Sequence, residues 1–163
     1  MARKIAVKIK KELLIEYLYL DLQTCERCMR ADKVLDSAVE LLSPVMDAAG
    51  FQIEYRKVLI ENEELAEQYH FRSSPTILVN GEDIFGQIQE NDCGCCSDIA
   101  GTDIKCRVFE SEGKYYDAPT KSMLVNAILK RVYAASPEKQ DEYVLPENLK
   151  RFFEGKREKE KQL

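Results

Sequence analysis

An α/β fold, with a central mixed sheet flanked by helices, is what the order of patterns along these 163 residues predicts. Two runs read as strands, two longer runs carry the apolar stripe of a helix, and an Asn-Gly pair sits between short apolar segments. The predicted domain covers residues 1–135, with a cysteine-rich loop insertion at 87–106. Residues 136–163 form a C-terminal helical extension and a charged tail.

Ile15 to Leu22 places aromatic and aliphatic residues on both faces, as a strand covered from both sides does. A helix follows Cys28, with Val34, Leu35, Ala38, Val39, Leu41 and Leu42 as its stripe. Ser43-Pro44 is expected to kink or restart it, because proline removes a backbone donor, and Gly50 ends it. Gln52 to Ile60 reads as the second strand. Asn62 then caps a short helix with Glu63 and Glu64 in its first turn and Leu65, Ala66 and Tyr69 on one face. Thr76 to Val79 and Glu82 to Phe85, joined by Asn80-Gly81, carry the strongest short hairpin signal. Residues 87–106 show neither period and are expected to be irregular. Arg107 to Glu110 and Lys114 to Tyr116 form a second hairpin across Glu112-Gly113. Thr120 caps a helix to about Ala135, striped by Met123, Leu124, Ala127, Ile128, Leu129 and Val132. Ser136-Pro137 ends the domain. Pro146 opens a short helix carrying Leu149, Phe152 and Phe153, and Glu154 to Leu163 is a tail of mixed charge. Tyr115, Tyr116 and Met123 read most simply as core, and the lone His70 as a structural or surface residue.

Lysine and arginine total 24 against 29 acidic residues, a net charge of −5. That balance argues against nucleic acid as a partner, since nucleic-acid binding needs a basic footprint. The basic start, Arg3, Lys4, Lys8, Lys10 and Lys11, is the solvated beginning of a fold. Leu13-Leu14-Ile15 is broken by Glu16, far short of the roughly 20 apolar residues that cross a bilayer. No membrane partner and a cytoplasmic location are therefore expected. Six cysteines are informative there, because cytoplasmic thiols are kept reduced, catalytic or metal-bound.

Cys25-Glu26-Arg27-Cys28 lies at a strand-to-helix junction, and Ser74-Pro75-Thr76 leads into the hairpin. With the order of elements, these residues resemble the thioredoxin-like superfamily over roughly residues 13 to 90 and helix 120–135. The hairpin with Ile84 to Gly86 is similar to glutaredoxins. The whole is similar to a prokaryotic thioredoxin-like family with a later cysteine cluster. Thr24 and Glu26-Arg27 stand where thioredoxins carry tryptophan and Gly-Pro. The resemblance implies thiol–disulfide exchange on a protein or small-thiol disulfide. Cys25 would be the nucleophile and Cys28 the resolving thiol, with a cis Pro75 shaping a groove with Thr24, Ser74 and Thr76. Independently, a cysteine at a helix N-terminus faces free amides and the positive end of the dipole, which favour its thiolate.

The topology returns Cys93, Cys95 and Cys96 to the edge that carries Cys25 and Cys28. Three readings follow: a redox relay, a disulfide staple, or ligation of a soft ion. Cys106, at the start of a strand, is a small buried residue or a loop-closing partner. No cofactor is committed. The alternative function is a binding protein for zinc, mercury or arsenic, with Cys25, Cys28, Cys93, Cys95 and Cys96 as ligands. A third reading is an interaction module with stapled loops. The Leu149, Phe152 and Phe153 helix docks on its own domain or pairs two copies as a homodimer.

Overall fold

Alternation along the first strand decides the layering. The computed structural model describes residues 10–134 and 142–162. The basic residues Arg3, Lys4 and Lys8 and the Ser136-Pro137 boundary lie outside them. Strand β1 (Lys11–Tyr19) sends Leu13, Ile15 and Tyr17 into one buried cluster, while Leu18 lies in the other. It pairs in parallel with β2 (Phe51–Leu59) and antiparallel with β3 (Thr76–Val79), which turns into β4 (Glu82–Asp83). The order β2-β1-β3-β4 is a mixed sheet. A second sheet, β5-β6-β7, comprises β5 (Gln89–Asp92), β6 (Lys105–Ser111) and β7 (Lys114–Tyr116), all antiparallel.

Helices α1 (Glu26–Ala48) and α4 (Lys121–Tyr133) bury one side of the first sheet with Leu35, Ala38, Leu42, Leu124 and Ile128. Thr120 caps α4 by accepting from Met123 N. The other side is covered by α2 (Glu63–Gln68), α3 (Gly94–Ala100), α5 (Glu147–Lys161) and β6. Asn62 Oδ1 accepts from Leu65 N at 2.9 Å and starts α2. Both predicted hairpins form. Asn80 and Gly81 have φ of 51° and 82°, and Glu112 and Gly113 have 51° and 79°, the left-handed pairs such tight turns require.

Five expectations are corrected. The strand placed at 15–22 runs from Lys11 to Tyr19, because Asp21 turns the chain ahead of Cys25. Helix α1 continues through Pro44 without the restart that the sequence allowed there. Pro44 and Glu40, whose carbonyl loses its usual donor, are both exposed, so water can serve that oxygen. Residues 87–106 are not an irregular loop but hold β5 and α3. Cys93, Cys96 and Cys106 take three of the five buried positions there, leaving only Ala100 and Ile104 to carry an aliphatic signal. Helix α5 extends to Lys161, where a charged tail was expected. Arg157 pairs with Glu63 at 2.5 Å and Lys159 Nζ donates to Asp98 O at 2.7 Å, which ties that segment down. Tyr115 is 61% exposed rather than core, since β7 is the edge of its sheet.

Leu149, Phe152 and Phe153 of α5 are buried against their own chain, in the cluster that contains the cysteines. Helix α5 approaches α3 so closely that a Cβ at Gly155 would lie 2.2 Å from the Ala100 carbonyl oxygen. Gly155→Ala is therefore expected to lever α5 away and to cost about 1–3 kcal/mol in thermal or urea unfolding. An unchanged midpoint would contradict the contact.

Candidate metal centre

Three segments, the starts of α1 and α3 and strand β6, bring four cysteines to one point. Cys25 is the N-cap of α1, and Cys93 is the N-cap of α3. Cys96 lies in the first turn of α3, and Cys106 lies on β6 opposite Asn91 of β5. Their Sγ atoms all lie within 4.8 Å of one another, and all four residues are buried. Cys106 Sγ is 3.4 Å from Cys96 Sγ.

The backbone around the cluster is fixed by specific bonds. Asp21 Oδ2 accepts from Thr24 N, Thr24 Oγ1 and Cys25 N at 2.7–2.8 Å, which shapes the approach to α1. Burial pushes the Asp21 carboxyl up, but the bonds from Thr24 and Cys25 outweigh it and hold the group below its ordinary value. Arg27 Nη2 donates to Asp92 O at 2.9 Å and so ties the start of α1 to the residue before Cys93. Cys93 N donates to Ile104 O at 2.9 Å, closing the α3 loop on itself.

Arg107 fastens the remaining wall. It is fully buried, with Nη1 2.7 Å from Asp83 Oδ2 and Nη2 donating to Phe85 O at 2.6 Å. Its guanidinium carbon lies 5.3 Å from the centroid of the Phe109 ring. Its backbone N–H donates to Ser74 O at 2.8 Å. The Ser74–Pro75 peptide is cis, as expected, but its edge is occupied by this chain's own β6. Ser74 is 1% and Thr76 4% exposed, while Thr24 is exposed and engaged by Asp21. The groove expected at Thr24, Ser74 and Thr76 is therefore filled, because Arg107 anchors β6 across it.

The thiols share charge unevenly. Hydrogen bonds from Cys106, Cys28, Cys93 and Cys96 hold Cys25 well below the ordinary thiol range. Cys93 is drawn down to about 7, chiefly by Cys106. The bond with Cys106 pushes Cys96 up, and that with Cys25 pushes Cys106 up. Without a counter-charge, then, such a nest favours charge on Cys25 and Cys93 over ionisation of all four thiols.

Two expected members stand outside the group. Cys28 is buried beside Ser74, with Sγ 3.4 Å from Ser74 Oγ, and the bond with Cys25 followed by burial pushes its thiol up. Cys95 is half-buried on α3 and is not among the four. Cys106, which the sequence reading kept out of the ligand set, lies inside it. The spacing Cys93-X-X-Cys96, a second copy of the Cys25-X-X-Cys28 interval, was the available signal for grouping Cys93 with Cys96 and leaving Cys95 out. Nothing local marks Cys106, Asp21 or Arg107. His70 is exposed and stacks on Tyr143, ring centroids 5.2 Å apart, consistent with its reading as a structural or surface residue.

The comparison with protein families is decided by residues 13–128, which match the domain of unknown function DUF2703. The chain belongs to the DUF2703 family. No curated protein and no solved structure matches it. All six cysteines of this DUF2703 chain fall in the matched segment, whereas α5, which helps bury them, lies beyond it. Among the described residues, no helix of this DUF2703 protein is long and apolar enough to cross a membrane.

Proposed function

We propose that this protein binds one thiophilic divalent cation, of the zinc and cadmium class, through Cys25, Cys93, Cys96 and Cys106. The observation that carries the reading is the mutual approach of four buried Sγ atoms within 4.8 Å. With metal–sulfur bonds of about 2.3 Å, the edge of a tetrahedral tetrathiolate is about 3.8 Å. A modest adjustment of this group, with Cys96 and Cys106 parting slightly from 3.4 Å and the wider pairs closing, would reach it. A bridged iron–sulfur cluster needs its ligands farther apart, and a linear two-coordinate ion leaves two of the four thiols idle. The cation also supplies the positive charge that lets all four thiols ionise, and the N-terminus of α1 at Cys25 adds to it.

The sheet order, the position of Cys25 at the N-terminus of α1 and the cis Ser74–Pro75 bond support a thioredoxin-like origin for the first sheet. Thiol–disulfide exchange remains a second reading, favoured by the depressed Cys25 thiol with Cys28 three residues on. Against it, Cys25 is wholly buried and the groove beside Pro75 is filled by β6, so a protein disulfide has no path to the nucleophile. A reducing compartment such as the cytoplasm suits both readings, since it keeps the thiols free.

Zinc content decides between them. Protein purified under reducing conditions without chelator is expected to hold one zinc per chain, and to unfold at a lower temperature once the metal is removed. Protein that refuses zinc or cobalt under reducing conditions, yet reduces insulin disulfides, would establish the second reading instead.

A further inference from the structure

Two of the ligand cysteines open a Cys-X-X-Cys interval, and Cys25 differs from Cys93 in that its partner is not a ligand. Cys93 has Cys96 at that spacing, and both belong to the group. Cys25 has Cys28, which is fully buried and lies one helical turn along α1. The Cys28 thiol lies 3.4 Å from the Ser74 hydroxyl and shares a hydrogen bond with the Cys25 thiol, so the two sulfurs already face each other. Cys95 follows a different geometry, since it neighbours Cys96 directly on α3 and adjacent helical residues do not face each other.

We propose that a peroxide oxidises Cys25 and Cys28 to a disulfide and thereby releases the bound cation. The inference rests on the metal reading above and names the regulation of that same site. A peroxide is the oxidant class that fits, because the cluster is buried with residues of α5 and β6, and a small neutral oxidant needs far less opening of that cover than a protein disulfide does. In the first step the Cys25 sulfur attacks the peroxide. A sulfur–oxygen bond forms, the oxygen–oxygen bond breaks, and hydroxide leaves and is protonated to water. The sulfur is oxidised by two electrons and the peroxide is reduced. The sulfenic sulfur is a neutral and weaker donor, and it leaves the ligand group only when Cys28 captures it. In the second step Cys28 attacks Cys25. The sulfur–sulfur bond forms, the sulfur–oxygen bond breaks, and the Cys28 proton leaves with the hydroxide as a second water. The disulfide draws Cys25 Sγ to about 2.05 Å from Cys28, out of the ligand group. Cys93, Cys96 and Cys106 are left holding a cation with an open position, which a competing ligand can take.

The test loads the full chain with one equivalent of zinc, removes excess metal, and adds hydrogen peroxide in the presence of a zinc-responsive dye. Zinc is expected to appear in step with loss of a pair of thiols, and peptide mass mapping to place the first disulfide between Cys25 and Cys28. Cys28→Ser is expected to slow release by roughly tenfold or more, while Cys95→Ser leaves it unchanged. A chain that takes up no zinc before peroxide is added overturns the metal reading and this inference with it. A zinc-loaded chain whose first disulfide joins Cys96 to Cys106, or whose Cys28→Ser variant releases at the unaltered rate, overturns the inference alone. The disulfide mapping uses the unaltered protein, so it stands even if a Cys28 variant folds poorly.

Discussion

Cys106→Ala is expected to leave a chain that no longer retains zinc against a chelator, while Cys95→Ala retains it as the unaltered protein does. Both residues belong to the same cysteine-rich region, but only Cys106 has its sulfur within 4.8 Å of the other three ligands. Structural zinc sites bind with about 10–16 kcal/mol, so one of four thiolates represents about 3 kcal/mol, on the order of a 100-fold loss of affinity. Competition between the protein and a chelator of known affinity reads this directly. Because the four ligands come from α1, the α3 N-terminus and β6, the cation also joins segments that are remote in sequence. The zinc-dependent rise in unfolding temperature should therefore vanish in Cys106→Ala together with the binding. Equal retention of zinc by the two variants would remove Cys106 from the ligand set.

The second large effect lies outside the sulfur group. Asp83→Ala is expected to destabilise the protein by about 3–5 kcal/mol, because it leaves the fully buried Arg107 guanidinium without its carboxylate. Asp83 is itself only 20% exposed, so water compensates little. The Phe85 and Gln87 carbonyls still accept from Arg107, but neither carries charge. With a urea dependence of about 1–3 kcal/mol per molar, the midpoint should fall by roughly 2 M. The loss should also weaken zinc binding, since Arg107 is the residue after Cys106 and its N–H holds β6 on Ser74. A midpoint within about 0.3 M of the unaltered protein would show that the pair does not hold the wall of the site.

The elements legible in the sequence are those whose signal is local. Asn80-Gly81 and Glu112-Gly113 make their hairpins because each pair adopts left-handed φ values at a two-residue turn. Asn62 and Thr120 start their helices because a side-chain oxygen takes a free amide. Strand β1 showed apolar residues on both faces, and both faces are buried. The elements that escaped notice are held by distant partners. Strand β5 reads Gln-Glu-Asn-Asp and has no apolar alternation, yet it forms because β6 offers it a paired edge. The final turns of α5 carry only charged and polar side chains, and they persist through contacts with α3 and Glu63.

By itself the sequence determined the α/β class, both hairpins, the strand-to-helix junction that carries Cys25 and Cys28, and the presence of two cysteine groups. Each of these depends on neighbours within a few residues. Only the tertiary structure decided which thiols meet. It put Cys106 in and left Cys28 and Cys95 out, because membership depends on how β6 lies across Ser74 and on which way the first turn of α3 faces. Those placements are fixed by a buried Arg107–Asp83 pair and by a helix from beyond the matched domain, partners too far away along the chain for any local pattern to announce.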